Sequence, residues 1–103
     1  MLRVVEIIEK SPYSLVCKLN NGIVKKLDIL PIIENHKHLN GVQNLLNESV
    51  FNTVRIGEFG EIVWDKIVKT NQDSIDLYWD YDISPEFAFQ NSSFTETPFI
   101  AAL

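Results

Sequence analysis

Residues 75–83 alternate without interruption between large apolar side chains and polar, mostly acidic ones. A period of two is typical of a β-strand, because successive side chains point to opposite faces of the sheet. The pattern therefore predicts a strand with one face toward the core and the other toward solvent. The apolar face holds Ile75, Leu77, Trp79, Tyr81 and Ile83, and the acidic face holds Asp76, Tyr78, Asp80 and Asp82.

The first part of the chain predicts three further strands in antiparallel order. Residues 2–9 are short, apolar and rich in β-branched side chains, and residues 13–19 alternate with period two. Asn20-Asn21-Gly22 follows, and Asn-Gly is a strong hairpin signal because both residues tolerate positive φ. The chain then returns along residues 23–29 as the third strand.

The middle of the chain predicts short helices and then two strands. Pro31 ends the third strand because it has no N–H to donate to a sheet, and a helical turn is expected around it. Asn40 is a suitable cap for a helix over residues 40–47, in which Val42, Leu45 and Leu46 share one stripe. Two strands are then expected, at residues 50–56 and 61–68.

Ser84-Pro85-Glu86 predicts the start of a last helix, because serine is a preferred N-cap and proline a preferred first helical residue. All the elements together predict an α+β fold: a curved, mainly antiparallel sheet of about five or six strands with two or three short helices. A chain of 103 residues is one domain by size, and we place that domain at residues 1–91. Residues 92–103 are expected to form a C-terminal tail that is loosely ordered or docks on a partner.

The net charge of -5 is unevenly distributed along the sequence. Residues 56–103 carry two lysines against nine acids, whereas residues 1–55 carry seven basic side chains against five acids. An acidic half repels a phosphate backbone, so we expect no direct contact with nucleic acid. A small, basic protein is the better electrostatic match.

The start of the chain mixes charged and apolar residues, unlike a signal peptide, and no apolar run approaches the roughly eighteen residues of a membrane span. We therefore expect a cytoplasmic protein without a membrane partner.

Three side chains could take part in metal binding or nucleophilic chemistry: Cys17, His36 and His38. Zinc needs about four nitrogen or sulfur ligands at defined spacing, and these three residues do not supply that set. Cys17 shares its strand face with leucines, so it is expected in the core rather than as a nucleophile. The sequence thus predicts no catalytic residue, no metal site and no cofactor.

The aromatic residues and the acidic strand give the remaining candidates. Trp64 and Trp79 are expected to lie on neighbouring strands and to fill the core, whereas Tyr78 is expected to be exposed. The tail residues Phe99, Ile100 and Leu103 are candidates for a homodimer contact. The candidate partner-docking face consists of Asp76, Tyr78, Asp80, Asp82 and Glu86.

Several segments, in this order, resemble one bacterial family, domain of unknown function 2442. They cover roughly residues 2 to 90 and are, after an opening strand, Tyr13 to Gly22, Asp28-Ile29-Leu30-Pro31-Ile32-Ile33, Leu45-Leu46, Val50-Phe51-Asn52-Thr53-Val54, Gly60-Glu61-Ile62-Val63-Trp64 and Asp82-Ile83-Ser84-Pro85-Glu86. The resemblance implies a compact α+β domain with a curved antiparallel sheet. It also implies pairing with another small protein, because many family members are encoded beside one in a toxin–antitoxin-like arrangement.

The chain departs from the family pattern at two places. An added hairpin is expected between Asp65 and Tyr81, and no helix-turn-helix segment, which some members carry, follows residue 90. The second departure argues against a direct role on DNA.

These observations favour a non-catalytic protein-protein interaction module, antitoxin-like in a two-protein system. One alternative is a small-ligand-binding protein or enzyme with a site between the helix at 40–47 and the sheet. Another is a regulator that contacts DNA only within a complex, through Lys25, Lys26, Lys37 and Arg55.

Overall fold

The computed structural model of the chain describes residues 1–94, which form two antiparallel sheets and several short helices. The predicted tail contact through Phe99, Ile100 and Leu103 lies outside these residues. The strands are β1 (Val4–Ser11), β2 (Ser14–Leu19), β3 (Val24–Asp28), β4 (Arg55–Ile56), β5 (Ile62–Gln72), β6 (Ile75–Ile83) and β7 (Ser93–Phe94). The helices are α1 (Leu30–Asn35), α2 (Glu48–Phe51) and α3 (Pro85–Gln90), with a 3₁₀ helix at Val42–Leu46.

The prediction of one curved sheet of five or six strands is wrong. β1, β2 and β3 form one antiparallel sheet, which the two-residue β7 extends, and β4, β5 and β6 form a second. Helical segments separate the two sheets along the chain, between β3 and β4. A backbone hydrogen bond links their neighbouring edges, from the Val4 N–H to the Gly60 carbonyl at 2.9 Å.

The predicted strand at residues 50–56 forms only at its end, because Val50 and Phe51 belong to α2 and residues 52–54 form a turn. The Asn47 side chain accepts a hydrogen bond from the Ser49 backbone N–H and so caps α2, and Glu48 lies at the positive end of that helix. Phe51 is then buried on the helix rather than in a strand. Only Arg55 and Ile56 remain to pair with β5.

The predicted Asn40 cap is also wrong. The 3₁₀ helix begins after Gly41, whose φ is 103°, and it has no side-chain cap. The Asn40 carbonyl instead accepts a hydrogen bond from the Lys69 backbone N–H at 2.8 Å, which ties this turn to β5. Of the predicted stripe, Val42 and Leu45 are buried, but Leu46 is 43% exposed. A 3₁₀ helix has three residues per turn, so only positions i and i+3 share a face.

Several local predictions are confirmed. β1, β2 and β3 are antiparallel neighbours, and β6 has the predicted bounds. Ser84 caps α3 by accepting a hydrogen bond from the Phe87 N–H at 3.1 Å. Cys17 is buried in the core.

Trp64 lies at the centre of the core, as predicted, with no exposed surface. Its Nε1–H donates to the Phe51 carbonyl at 2.9 Å. The Trp64 ring lies 5.8 Å from the Phe51 ring and 6.1 Å from the Tyr81 ring, between centroids. Tyr13, just before β2, packs edge-on against Phe51 and donates its hydroxyl to the Leu46 carbonyl. A continuous aromatic row therefore joins the first sheet, α2 and the second sheet.

The β5–β6 hairpin contains a large bulge directly after Trp64. Trp64 pairs with Tyr81 and Val68 with Trp79, so three β5 residues lie opposite the single β6 residue Asp80. Lys66 has a φ of 56° there, and its backbone N–H donates to Asp80 Oδ1 at 3.0 Å. The carboxylate thus satisfies a donor that the irregular pairing leaves outside the ladder.

Beyond this bulge the apolar face of β6 leaves the core. Tyr81 and Ile83 are buried, but Trp79 is 54% exposed and Ile75 is 61% exposed. The prediction that Trp79 fills the core is therefore wrong. The predicted alternation of β6 is confirmed, but the packed core ends at the bulge, and the outer half of the β5–β6 hairpin extends past it.

We predict that the two tryptophans differ strongly in their contribution to stability. Trp64→Phe removes a buried hydrogen bond and leaves a cavity, so the free energy of unfolding should fall by about 2–4 kcal/mol. Trp79→Phe is the matched control and should cost less than about 1 kcal/mol, because the ring is half exposed. Urea unfolding followed by circular dichroism measures both. Equal losses would contradict the central role of Trp64.

Two glycines with positive φ provide a second matched pair. A Cβ at Gly41 would collide with the Ile67 carbonyl oxygen, whereas a Cβ at Gly22 meets nothing within 4 Å. Gly22→Ala should therefore cost only the left-handed backbone penalty, about 1 kcal/mol. Gly41→Ala should cost upward of ~3 kcal/mol, because the turn must move away from β5. Thermal unfolding of both variants tests this order, and a Gly41→Ala variant as stable as Gly22→Ala would disprove the close approach.

Candidate functional site

An open groove lies on the second sheet, between β6 and the loop that joins β4 to β5. Its volume is about 500 Å³. Within the described residues it is lined by Arg55, Gly57, Glu58, Phe59, Glu61, Val63, Trp79, Asp80 and Asp82. We call this feature the acidic groove.

Strand pairing brings its floor together. Arg55 pairs with Val63, and Val63 pairs with Asp82, so these three residues lie in one row across β4, β5 and β6. Side chains in such a row share one face of the sheet. Asp80 is two residues from Asp82 along β6 and lies on the same face.

The electrostatic balance of the groove is negative. Four of its lining residues are carboxylates, namely Glu58, Glu61, Asp80 and Asp82, against the single guanidinium of Arg55. Arg55 is already paired, because its Nη2 lies 2.7 Å from Asp65 Oδ1 and its Nε lies 2.9 Å from Asp65 Oδ2. These hydrogen bonds raise the pKa of Arg55 and lower the pKa of Asp65. The net field at the groove therefore attracts cations.

The groove carboxylates differ in whether they accept hydrogen bonds from the protein itself. Glu61 accepts a hydrogen bond from the Phe59 N–H at 2.9 Å, and Asp80 accepts one from the Lys66 N–H. Within residues 1–94, Asp82 accepts no hydrogen bond and forms no ion pair. Within the same residues, the Glu58 side chain also accepts no hydrogen bond. Asp82 and Glu58 are both exposed, so their charges are the ones most available to a partner.

Two aromatic residues at the groove are unusually exposed. Phe59 is 62% exposed at the tip of the loop, and Trp79 is 54% exposed. The loop is held in place, since Arg3 Nη2 donates to the Glu58 carbonyl at 2.6 Å. The Trp79 Nε1–H donates to Thr70 Oγ1 at 2.8 Å. Large exposed apolar side chains on a braced surface are characteristic of protein-binding sites.

The structure places the predicted docking residues on one strand face and one helix start, but only two of them line the groove. Asp80 and Asp82 do so. Asp76 and the half-exposed Tyr78 lie farther out on the hairpin, and Glu86 lies in the first turn of α3.

Asp76 is engaged locally. Its carboxylate accepts a hydrogen bond from Asn71 Nδ2 at 2.9 Å and lies 3.4 Å from Lys69 Nζ. The hydrogen bond from Asn71, followed by that from Lys69, lowers the pKa of Asp76. Asp76 is therefore a weaker candidate than Asp82 for pairing with a partner's cation.

Sequence reasoning missed the loop contribution of Glu58, Phe59 and Glu61. The signal was an isolated phenylalanine between Gly57 and Gly60 in an otherwise polar turn. Such a residue has no period to indicate which side is buried, so only the fold shows that it is exposed beside β6.

The three candidates for metal or nucleophile chemistry, Cys17, His36 and His38, do not line the groove. The Cys17 thiol is buried, and its burial raises its pKa to about 11. His36 is half-buried, and its Nδ1 lies 2.5 Å from the Tyr81 hydroxyl. Burial and then the charge of Asp82 raise the pKa of Tyr81 to about 12, so this hydroxyl keeps its proton at neutral pH. Within residues 1–94, no three His, Cys, Asp or Glu side chains are grouped so as to hold a metal ion.

The basic residues of the DNA-regulator alternative are mostly engaged with the protein itself. Lys25 is buried, donates from Nζ to the Phe89 carbonyl at 2.7 Å and lies 4.2 Å above the Phe89 ring. Lys37 pairs with Glu34 at 2.9 Å, and Arg55 pairs with Asp65. These contacts do not favour a basic binding patch.

The 3₁₀ helix at Val42–Leu46 faces the core with fully buried Val42 and Leu45. Apolar side chains therefore occupy the position where the ligand-binding alternative placed its site. Within the described part of the chain, no helix is long and apolar enough to cross a membrane.

Comparison of the chain with protein-family models, with curated proteins and with solved structures gives no match. The resemblance to domain of unknown function 2442 therefore stays a prediction.

We predict that Cys17 reacts with thiol reagents only when the chain opens. At pH 8 a pKa near 11 leaves about a hundredfold less thiolate than in the unfolded chain. Labelling of the native protein should be at least that much slower than labelling in urea. Its rate should rise with pH only up to about 9, the ordinary pKa of a thiol, because the open chain is the species that reacts. Absorbance of the released chromophore measures the rate, with Cys17→Ser as the blank. Fast labelling of the native protein at pH 7 would contradict the burial.

Proposed function

We propose that this chain is a non-catalytic protein-protein interaction module that binds a small basic protein in the acidic groove. The observation that carries the proposal is the pairing of two half-exposed aromatic residues with four carboxylates around one open groove. The resemblance described above supports a two-protein system, in which this chain would be the antitoxin-like member.

The two kinds of side chain have different roles in such binding. Buried aromatic anchors supply most of the affinity at interfaces, so Phe59 and Trp79 are the expected anchors. Exposed carboxylates such as Asp82 mainly increase the association rate and select the sign of the partner's charge. Their effect decreases with salt, because exposed charges are screened within about 8–10 Å at physiological ionic strength.

The shape of the groove also favours a protein partner. Small molecules usually bind in concave pockets that cover most of their surface. This groove is open and is bordered by the exposed Phe59 and Trp79, which suits a segment of a second protein lying across it.

We predict that removing charge from the groove weakens capture of the partner. Asp80→Asn with Asp82→Asn removes two negative charges, and the new amide oxygen at residue 80 can still accept from the Lys66 N–H. Capture of the tagged chain from a lysate of its native host should then fall about tenfold at low salt, and less at high salt. Phe59→Ala should weaken capture at both salt concentrations, because it removes an apolar anchor. Quantitative mass spectrometry of the captured basic protein gives the ratio.

The matched control is Asp28→Asn with Glu34→Gln, which removes the same charge from exposed positions outside the groove. It should leave capture unchanged. If the control weakens capture as much as the groove variant does, net charge alone is responsible. If Phe59→Ala and the double variant both capture normally, the groove is not the binding site.

A further inference from the structure

β6 is an edge strand. The second sheet has the order β4-β5-β6, and within residues 1–94 no strand pairs with the outer edge of β6. The strand has nine residues, and residues 75–80 are exposed or half-buried. An edge of this length presents a row of backbone donors and acceptors that can pair with another extended chain.

The two faces of this edge strand differ from each other in chemistry. One face presents Asp76, Tyr78, Asp80 and Asp82, and the outer part of the other presents Ile75 and Leu77. Trp79 follows Ile75 and Leu77 in the alternation and also borders the acidic groove. A strand added beside β6 would place its own alternate side chains next to these two sets. The edge therefore favours a partner strand with a particular order of side chains, and not only one with a positive charge.

We propose that the partner contributes an extended segment that adds to β6 as a fourth strand, with basic residues alternating with large apolar ones. This inference rests on the proposed function and specifies the form of the partner. The basic side chains would lie beside the acidic face, and the apolar side chains would cover the exposed surface around Trp79 and Ile75.

A second copy of this chain does not fit the same edge. If two copies of β6 paired antiparallel about a two-fold axis, their acidic faces would lie on the same side of the joined sheet. Acidic residues of one β6 would then lie opposite acidic residues or Tyr78 of the other. Like charges directly opposite each other are destabilising. Charged residues on an edge strand are a known means of preventing self-association.

The chain's own C-terminal sequence does not supply the complementary charge either. Residues 84–103 contain no lysine and no arginine. Charge complementarity therefore favours a basic strand from another protein.

The test uses a synthetic nine-residue peptide that alternates lysine with valine, and two backbone-methylated versions of it. One version is N-methylated at the lysines and the other at the valines. In an added strand, the N–H groups of only one series point toward β6, and those of the other series point away. One methylated peptide should therefore bind at least about tenfold more weakly than the parent, and the other should bind within about twofold of it. Isothermal titration calorimetry at low salt measures the three affinities.

Hydrogen exchange of the protein's backbone amides gives a second measurement. Addition of the parent peptide should slow hydrogen exchange of the β6 amides that do not bond to β5, and the weakly binding peptide should not. The variant Asp80→Asn with Asp82→Asn should weaken binding of the parent peptide, whereas Asp28→Asn with Glu34→Gln should not.

The outcomes separate this inference from the proposed function. Equal binding of all three peptides would overturn strand addition and leave docking by charge in the acidic groove intact. Failure of the parent peptide to bind would also overturn strand addition, while partner capture still decides the groove independently. Unequal binding of the two methylated peptides, together with slowed exchange in β6, would support the inference.

Discussion

The indole of Trp64 connects the parts of this fold. Its ring lies between Phe51 and Tyr81, and its N–H bonds to the Phe51 carbonyl. The four-residue helix α2 is too short to be stable alone, so its position depends on this hydrogen bond and on the burial of Phe51. Tyr13 then joins the same row from the first sheet. The row runs through one hydrophobic cluster, to which both sheets contribute buried side chains.

The bulge that follows Trp64 divides the β5–β6 hairpin into two parts with different roles. The inner part, with Tyr81 and Ile83, belongs to the core, whereas the outer part, with Trp79 and Ile75, is exposed. Asp80 lies opposite the bulge, so one carboxylate both stabilises the irregular backbone at Lys66 and lines the acidic groove. The outer hairpin therefore leaves two large apolar side chains, Ile75 and Trp79, in contact with water.

The acidic groove and the edge of β6 are neighbouring surfaces of one element. The groove lies over the face that carries Asp80 and Asp82, and the open edge runs along the same strand. A partner that adds a strand could therefore reach Phe59 and the groove carboxylates from the same position. Asp82 belongs to both surfaces. Within residues 1–94, no group donates a hydrogen bond to its carboxylate.

The sequence by itself determined the elements whose signals are local: the hairpin at Asn20-Asn21-Gly22, the alternation of β6 and the Ser84 cap. These features depend on φ preference, side-chain period and capping, which act over a few residues. Tertiary structure alone decided that the strands form two sheets, that Trp79 is exposed while Trp64 is buried, and that Phe59 lies beside Asp82. Burial depends on which distant segment covers a face. Two tryptophans that both lie in predicted strands can therefore have opposite environments, because the packed layer ends between them.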